Sequence, residues 1–212
     1  MALGSEASLN KKICVGLGNP GPRYEQNRHN AGFMLLDTLL AVSERYERIC
    51  VTPRFQLFEI ESPFPCWLLK PTTYMNLSGE AIIEFMQRFQ VEREDLISNM
   101  VVCYDDLALP LGVLRWRARG SAGGQKGMGN IMDHLDTREV QRLRLGIGSP
   151  PPGIAVTDYV LGDFCPDESQ IFKKLMGIGI DSLVCWAEHG ISITMSQFNG
   201  LNLSQMKDSR EE

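Results

Sequence analysis

The chain has 212 residues, 43% of them hydrophobic and 22% charged, with a mean hydropathy of -0.13 and a formal net charge of -5. A chain of this length buries roughly 70% of its unfolded surface, enough for one core, and no apolar run approaches the ~20 residues that span a bilayer. The acidic balance speaks against a general nucleic-acid coat, so any RNA contact has to come from a local basic patch.

Residues 12–17 form an apolar run stopped by Gly18-Asn19-Pro20-Gly21, which predicts a buried strand and a turn. Over residues 31–46, Leu35, Leu36, Leu39, Leu40 and Tyr46 make one broad stripe, predicting a helix packed on a core. Residues 66–70 read as a buried strand. Ser78 is the expected N-cap of a helix whose apolar face is Ile82, Met86 and Phe89, with Ile83 beside it. Residues 100–104 are a short apolar strand ending in Asp105-Asp106. Residues 111–119 and 140–147 alternate, as half-buried strands do. Between them a glycine-rich loop leads to a helix marked by Met128, Ile131, Met132 and Leu135. Residues 167–188 predict a long helix closed by His189-Gly190, with a short one from Ser192. Strands and helices alternate without a repeat or linker. The expectation is a single α/β domain over residues 12–205, a mixed central β-sheet with helices on both faces, and tails over 1–11 and 206–212.

The six cysteines are Cys14, Cys50, Cys66, Cys103, Cys165 and Cys185, spread singly, and the histidines are only His29, His134 and His189. That spacing argues against a zinc site and a disulfide framework, and for a reducing compartment. The first residues lack the basic and apolar regions of a secretory signal. Gly16, Gly18 and Gly21 match the dinucleotide fingerprint G-x-G-x-x-G. Pro20 and Pro22 intervene, however, and the helical stripe starts only about ten residues later, where a pyrophosphate needs the helix to open at the loop itself. The acidic residue near the required distance, Asp37, falls inside the helix. A nicotinamide site is therefore set aside.

Asn19, His29, Asn76 and Asp105 each fall at a strand end or beside a helix start, where one edge of a sheet can gather them. Singly, each has a plainer reading as a turn, cap or surface-loop residue. Arg115, Arg117 and Arg119 alternate, as do Arg142 and Arg144, so strands would throw each set to one face. That face is either an RNA surface or an ordinary solvated one.

Several segments, in order, resemble the bacterial-type peptidyl-tRNA hydrolase family. They are Gly16 to Gly21 with Tyr24 and Arg28-His29-Asn30-Ala31-Gly32, then Lys70-Pro71-Thr72-Thr73-Tyr74-Met75-Asn76-Leu77-Ser78-Gly79, then Tyr104 to Pro110. Gly120 to Gly127, Arg142 to Gly148 and Tyr159 to Gly162 continue the match. The resemblance implies hydrolysis of the ester joining a peptide to the terminal ribose of tRNA, by a monomer in the cytoplasm or an organelle interior, with no cofactor, metal or membrane partner. It implies that His29 deprotonates a water, Asp105 orients that histidine, and Asn19 holds the peptide backbone and the reacting groups. Tyr24, Met75 and Asn76 fall at substrate-binding positions. Many family members carry His-Asn where this chain has Gln125-Lys126; both are expected at the substrate, with Lys126 offering a cation in place of an amide. Arg117 and Arg144 fall where basic residues clamp a phosphate of the acceptor stem, while the ester and terminal adenosine lie at the histidine. The alternative on the same fold is a noncatalytic RNA-binding protein.

Overall fold

The computed structural model describes residues 11–203, so the expected tails lie, apart from Lys11, outside the described residues. Seven strands form one mixed sheet: β1 (Lys12–Gly16), β2 (Tyr46–Val51), β3 (Phe55–Ile60), β4 (Cys66–Pro71), β5 (Met100–Asp106), β6 (Leu114–Arg117) and β7 (Gln141–Gly146). Their order is β2-β3-β4-β1-β5-β7-β6. β1 is parallel to β4 and β5, and β5 to β7, while β2, β3 and β6 join antiparallel at the two flanks.

The central strands are apolar because both their faces are covered. On β1, Cys14 enters one core with Leu35, Leu36 and Leu39 of α1 (Ala31–Val42) and Phe172 and Leu175 of α6 (Pro166–Phe198). Ile13 and Val15 enter the other, with α2 (Ser78–Phe89), α3 (Arg93–Asn99) and α4 (Lys126–Leu135). A one-turn helix, α5 (Val156–Val160), follows β7. The single α/β domain with helices on both faces is as expected.

Several local expectations give way to tertiary pairing. The helix expected through residue 46 ends at Val42, because Ser43 turns extended and Tyr46 opens β2 opposite Ile60. Ser78 is not the N-cap: it is the first helical residue, and its hydroxyl donates to Met75 O at 2.8 Å. A free N–H in the buried first turn of α2 is satisfied instead by the neighbouring helix, where Asn130 Oδ1 accepts from Gly79 N at 2.7 Å. Of the alternating run 111–119, only Leu114–Arg117 joins the ladder, which leaves Arg119 beyond the strand. In α6 the backbone breaks at Gly190, in the left-handed region at φ 77°, so the expected stop is a bend between two helical segments.

Candidate active site

β1, β4, β5 and β7 run parallel, so their carboxyl ends share one edge of the sheet, and the chain order reverses across β1. Open α/β sheets form ligand crevices there. A cleft of about 800 Å³ occupies that edge, lined by Asn19, His29, Met75, Asn76, Asp105 and Gln125 and, further out, by arginines.

His29 lies on a 3-10 turn (Arg28–Asn30) leading into α1. Gly32 lets that turn approach the sheet: a Cβ there would stand 2.2 Å from Cys103 O and 2.4 Å from Leu17 N. Any side chain would push α1, and His29 with it, off the strand ends. From the other side, Asn27 Nδ2 donates to Asp163 Oδ1 at 3.1 Å, and Arg28 Nη2 to Glu168 Oε2 at 2.6 Å. The Arg28 guanidinium also lies over the Tyr159 ring, 4.3 Å from its centroid.

So placed, His29 Nδ1 is 2.8 Å from Asp105 Oδ2, with the His29 side chain 15% exposed and that of Asp105 3%. A carboxylate only accepts, so of the two tautomers of a neutral ring the contact selects the one with the proton on Nδ1 and the lone pair on Nε2. The other oxygen of Asp105 accepts from Gln125 Nε2 at 3.3 Å. Asn19 is fixed at three points: Asn30 Oδ1 accepts from its N at 2.8 Å, Asn30 Nδ2 donates to its O at 3.0 Å, and Met75 N donates to its Oδ1 at 3.0 Å. Its Nδ2 remains as a donor at the cleft. Asn76 is exposed at the rim, and Met75 is buried beneath it.

The basic residues divide. In register, Arg115 faces Arg144 and Arg117 faces Arg142, so the four project to one side of the sheet. Arg117 and Arg144 line the cleft, and Lys126 is exposed at the start of α4. Arg144 Nε is ion-paired with Asp106 Oδ2. Arg119 meets Glu139 at 3.4 Å, but the pair is exposed, which makes it worth at most about 1 kcal/mol and leaves the guanidinium available. Arg142 is different. Only 1% exposed, it donates to the carbonyls of Val140, Gly120, Ser121 and Arg138 at 2.9 to 3.1 Å, and burial pushes its pKa down. It is the strut of the glycine loop, not part of a solvated face. Burial also raises the Tyr104 phenol above its ordinary value, opposed by the charges of Arg142 and Arg144.

Two further sequence expectations change place. Tyr24 does not line the cleft; its ring sits beside the Arg23 guanidinium, 5.7 Å from centroid to Cζ. Gln125 is turned inward, with both ends of its amide engaged. Sequence reasoning also passed over Asn30, although it stands in the same short motif as His29. It also missed the wall formed by Val156, Thr157, Val160 and Leu161, whose segment carries no periodic signal.

Comparison with known proteins places the chain in a family. Residues 13–208 match the family model described as peptidyl-tRNA hydrolase. A peptidyl-tRNA hydrolase of Pseudothermotoga lettingae is 39% identical over 188 residues, covering 89% of this chain and 96% of that relative. One from Brevibacillus brevis is 39% identical over 193 residues, covering 90% and 98%. The crystal structure of the peptidyl-tRNA hydrolase from Acinetobacter baumannii superposes with a TM-score of 0.80 at 29% identity, over 94% of this chain and 99% of that one.

Proposed function

The chain belongs to the peptidyl-tRNA hydrolase family, and from its hydrolysis of peptidyl-tRNA as the premise we propose that His29 is the general base and water the nucleophile. The observation that carries this reading is the 2.8 Å hydrogen bond from His29 Nδ1 to Asp105 at the floor of the cleft. It leaves Nε2 as the acceptor for a proton from water, while the carboxylate stabilises the imidazolium that forms. The water oxygen bonds to the ester carbonyl carbon, and the carbonyl oxygen takes up negative charge. Neutral amides suit that oxygen and the peptide backbone, because they donate without adding charge; Asn19 Nδ2 and the amide of Asn76 stand at the cleft for this. Collapse breaks the bond to the ribose oxygen, which receives the proton from His29. The products are a tRNA with its terminal hydroxyl restored and a peptide carboxylic acid, which releases the water's second proton to solvent as it becomes the free carboxylate.

Arg117 and Arg144, with Lys126 at the rim, form the arm that takes the acceptor stem. Tyr24, outside the cleft, would meet substrate only beyond the ester. The reading extends to a monomer working in the cytoplasm, in keeping with the bacterial relatives and with six free cysteines. The noncatalytic RNA-binding alternative is not favoured, since the relatives bear the name of the hydrolase.

The test is turnover of an N-blocked aminoacyl-tRNA by the purified chain, with and without a strong chelator. Release of the blocked amino acid at equal rates in both arms is expected. Binding of tRNA without release would mark a noncatalytic protein, and a rate lost to chelator and restored by one divalent metal would replace the histidine mechanism with a metal-assisted one.

A further inference from the structure

Gln125 stands where three parts of the site meet. It is 9% exposed, and the loop that delivers it turns through Gly123 and Gly124 at φ 60° and 85°, in the left-handed region. Its Oε1 accepts from Met128 N at 2.7 Å, capping α4. Its Nε2 donates to Asp105 Oδ1 at 3.3 Å and reaches Met75 Sδ at 3.1 Å. The amide orientation follows from chemistry, since a backbone N–H needs an acceptor and a carboxylate needs a donor.

Resting on the reading of His29 and Asp105 as the reactive pair, we propose that Gln125 is a positioning residue for the reaction, which ties the Asp105 carboxylate to the N-terminus of α4 and does not bind substrate. Asp105 has two oxygens to place. With Oδ2 alone held, the carboxyl group can swing about its side-chain torsions, and the His29 ring follows it. With Oδ1 also held from a helix terminus, the carboxylate plane is fixed and so is the direction of His29 Nε2. Few side chains can do this. The task needs an acceptor for the helix and a donor for the carboxylate at the two ends of one short group, which a neutral amide supplies. Glutamate keeps the cap but loses the donor, and methionine loses both while keeping length and apolar packing. Substrate contact is secondary for Gln125: only 9% exposed at the cleft wall, its oxygen and its nitrogen each already have partners inside the protein.

Gln125→Glu and Gln125→Met separate these roles by steady-state kinetics on N-blocked aminoacyl-tRNA with the full chain, alongside thermal melts. Both variants lack the donor to Asp105, so both should lose at least about tenfold in kcat, with KM changed by less than about threefold. Only the methionine variant, without the cap, should melt markedly earlier. A kcat loss confined to Gln125→Met would make the residue a cap and nothing more. A rise in KM at unchanged kcat would make it a substrate ligand. Either outcome overturns the proposal. A fully active His29→Ala control would instead remove the reactive pair itself, whatever Gln125 does.

Discussion

Asp106 holds the Nε of Arg144 one position along β5 from Asp105, the carboxylate that holds His29. Two adjacent acids at the end of one strand thus anchor two different parts of the cleft, the histidine proposed as the base and the arginine of the cationic arm. Because Asp106 engages Arg144 through Nε, the Nη groups are left for a phosphate.

On the proposed mechanism, His29→Ala removes the general base and leaves the arginines and the lysine of the cleft in place. It should lower kcat by about 10²- to 10⁴-fold and leave tRNA affinity nearly unchanged. Single-turnover hydrolysis and a tRNA binding titration measure the two separately, and a variant retaining more than about a tenth of the rate would place the base elsewhere.

Arg117→Ala should raise KM for full-length peptidyl-tRNA and spare kcat, because a phosphate contact exists before and during the transition state alike. It should also make the log–log salt dependence of binding shallower by roughly 0.7 to 0.9. A short ester carrying only the terminal adenosine does not reach Arg117, so its hydrolysis should not change; equal damage on both substrates would assign Arg117 to the fold. Arg144→Ala should behave alike on substrate but also cost about 1–3 kcal/mol of stability, since Asp106 is only 9% exposed and loses its cationic partner, keeping the Ala108 N–H.

Arg142→Met should act on stability first. Four backbone carbonyls lose the Arg142 donor at once, Arg138 O keeping another in Gly120 N, and even partial rehydration leaves a cost of at least about 2 kcal/mol, read as a lower denaturation midpoint. Any loss of activity should fall equally on the short and the full-length substrate. A variant of unchanged stability with a selective defect on full-length tRNA would show that Arg142 reaches RNA after all.

Glu168 supplies a pH dependence. Burial alone would raise its carboxyl, but the Cys165 N–H and the Arg28 guanidinium outweigh that and hold it below the usual carboxylate range. The folded chain therefore binds fewer protons here than the unfolded one. The stability this contributes is present above the ordinary carboxylate pKa and lost as pH falls through the depressed one. Denaturant melts at neutral pH and near pH 3 should show a smaller acid loss in Glu168→Gln than in the wild type. Parallel losses would remove the Arg28–Glu168 pair as a source of acid sensitivity.

What the amino-acid sequence determined by itself is the part governed by local pattern. β1, β4 and β5 were legible because strands buried on both faces must be apolar throughout, and α4 because its buried residues repeat at helical spacing. The break of α6 at Gly190 was legible, as a stop, because glycine takes the left-handed conformation at no steric cost. His29, Asp105, Asn19 and Asn76 were found through a resemblance carried by motifs, and the strand-end rule said only that they could meet. Tertiary structure decided the rest. β2 is an edge strand, exposed over much of its length and paired on one side, so it carries no apolar alternation, and the helix stripe ran on falsely to Tyr46. Alternation put Arg142 and Arg144 on one face of the same cleft, but only the loop folded over that face buries the first and leaves the second half-buried. A cap that looked local at Ser78 is supplied to Gly79 N by Asn130, 51 residues along from that glycine. Such pairings depend on which surfaces the packed elements bring together, and no window of sequence contains that distance.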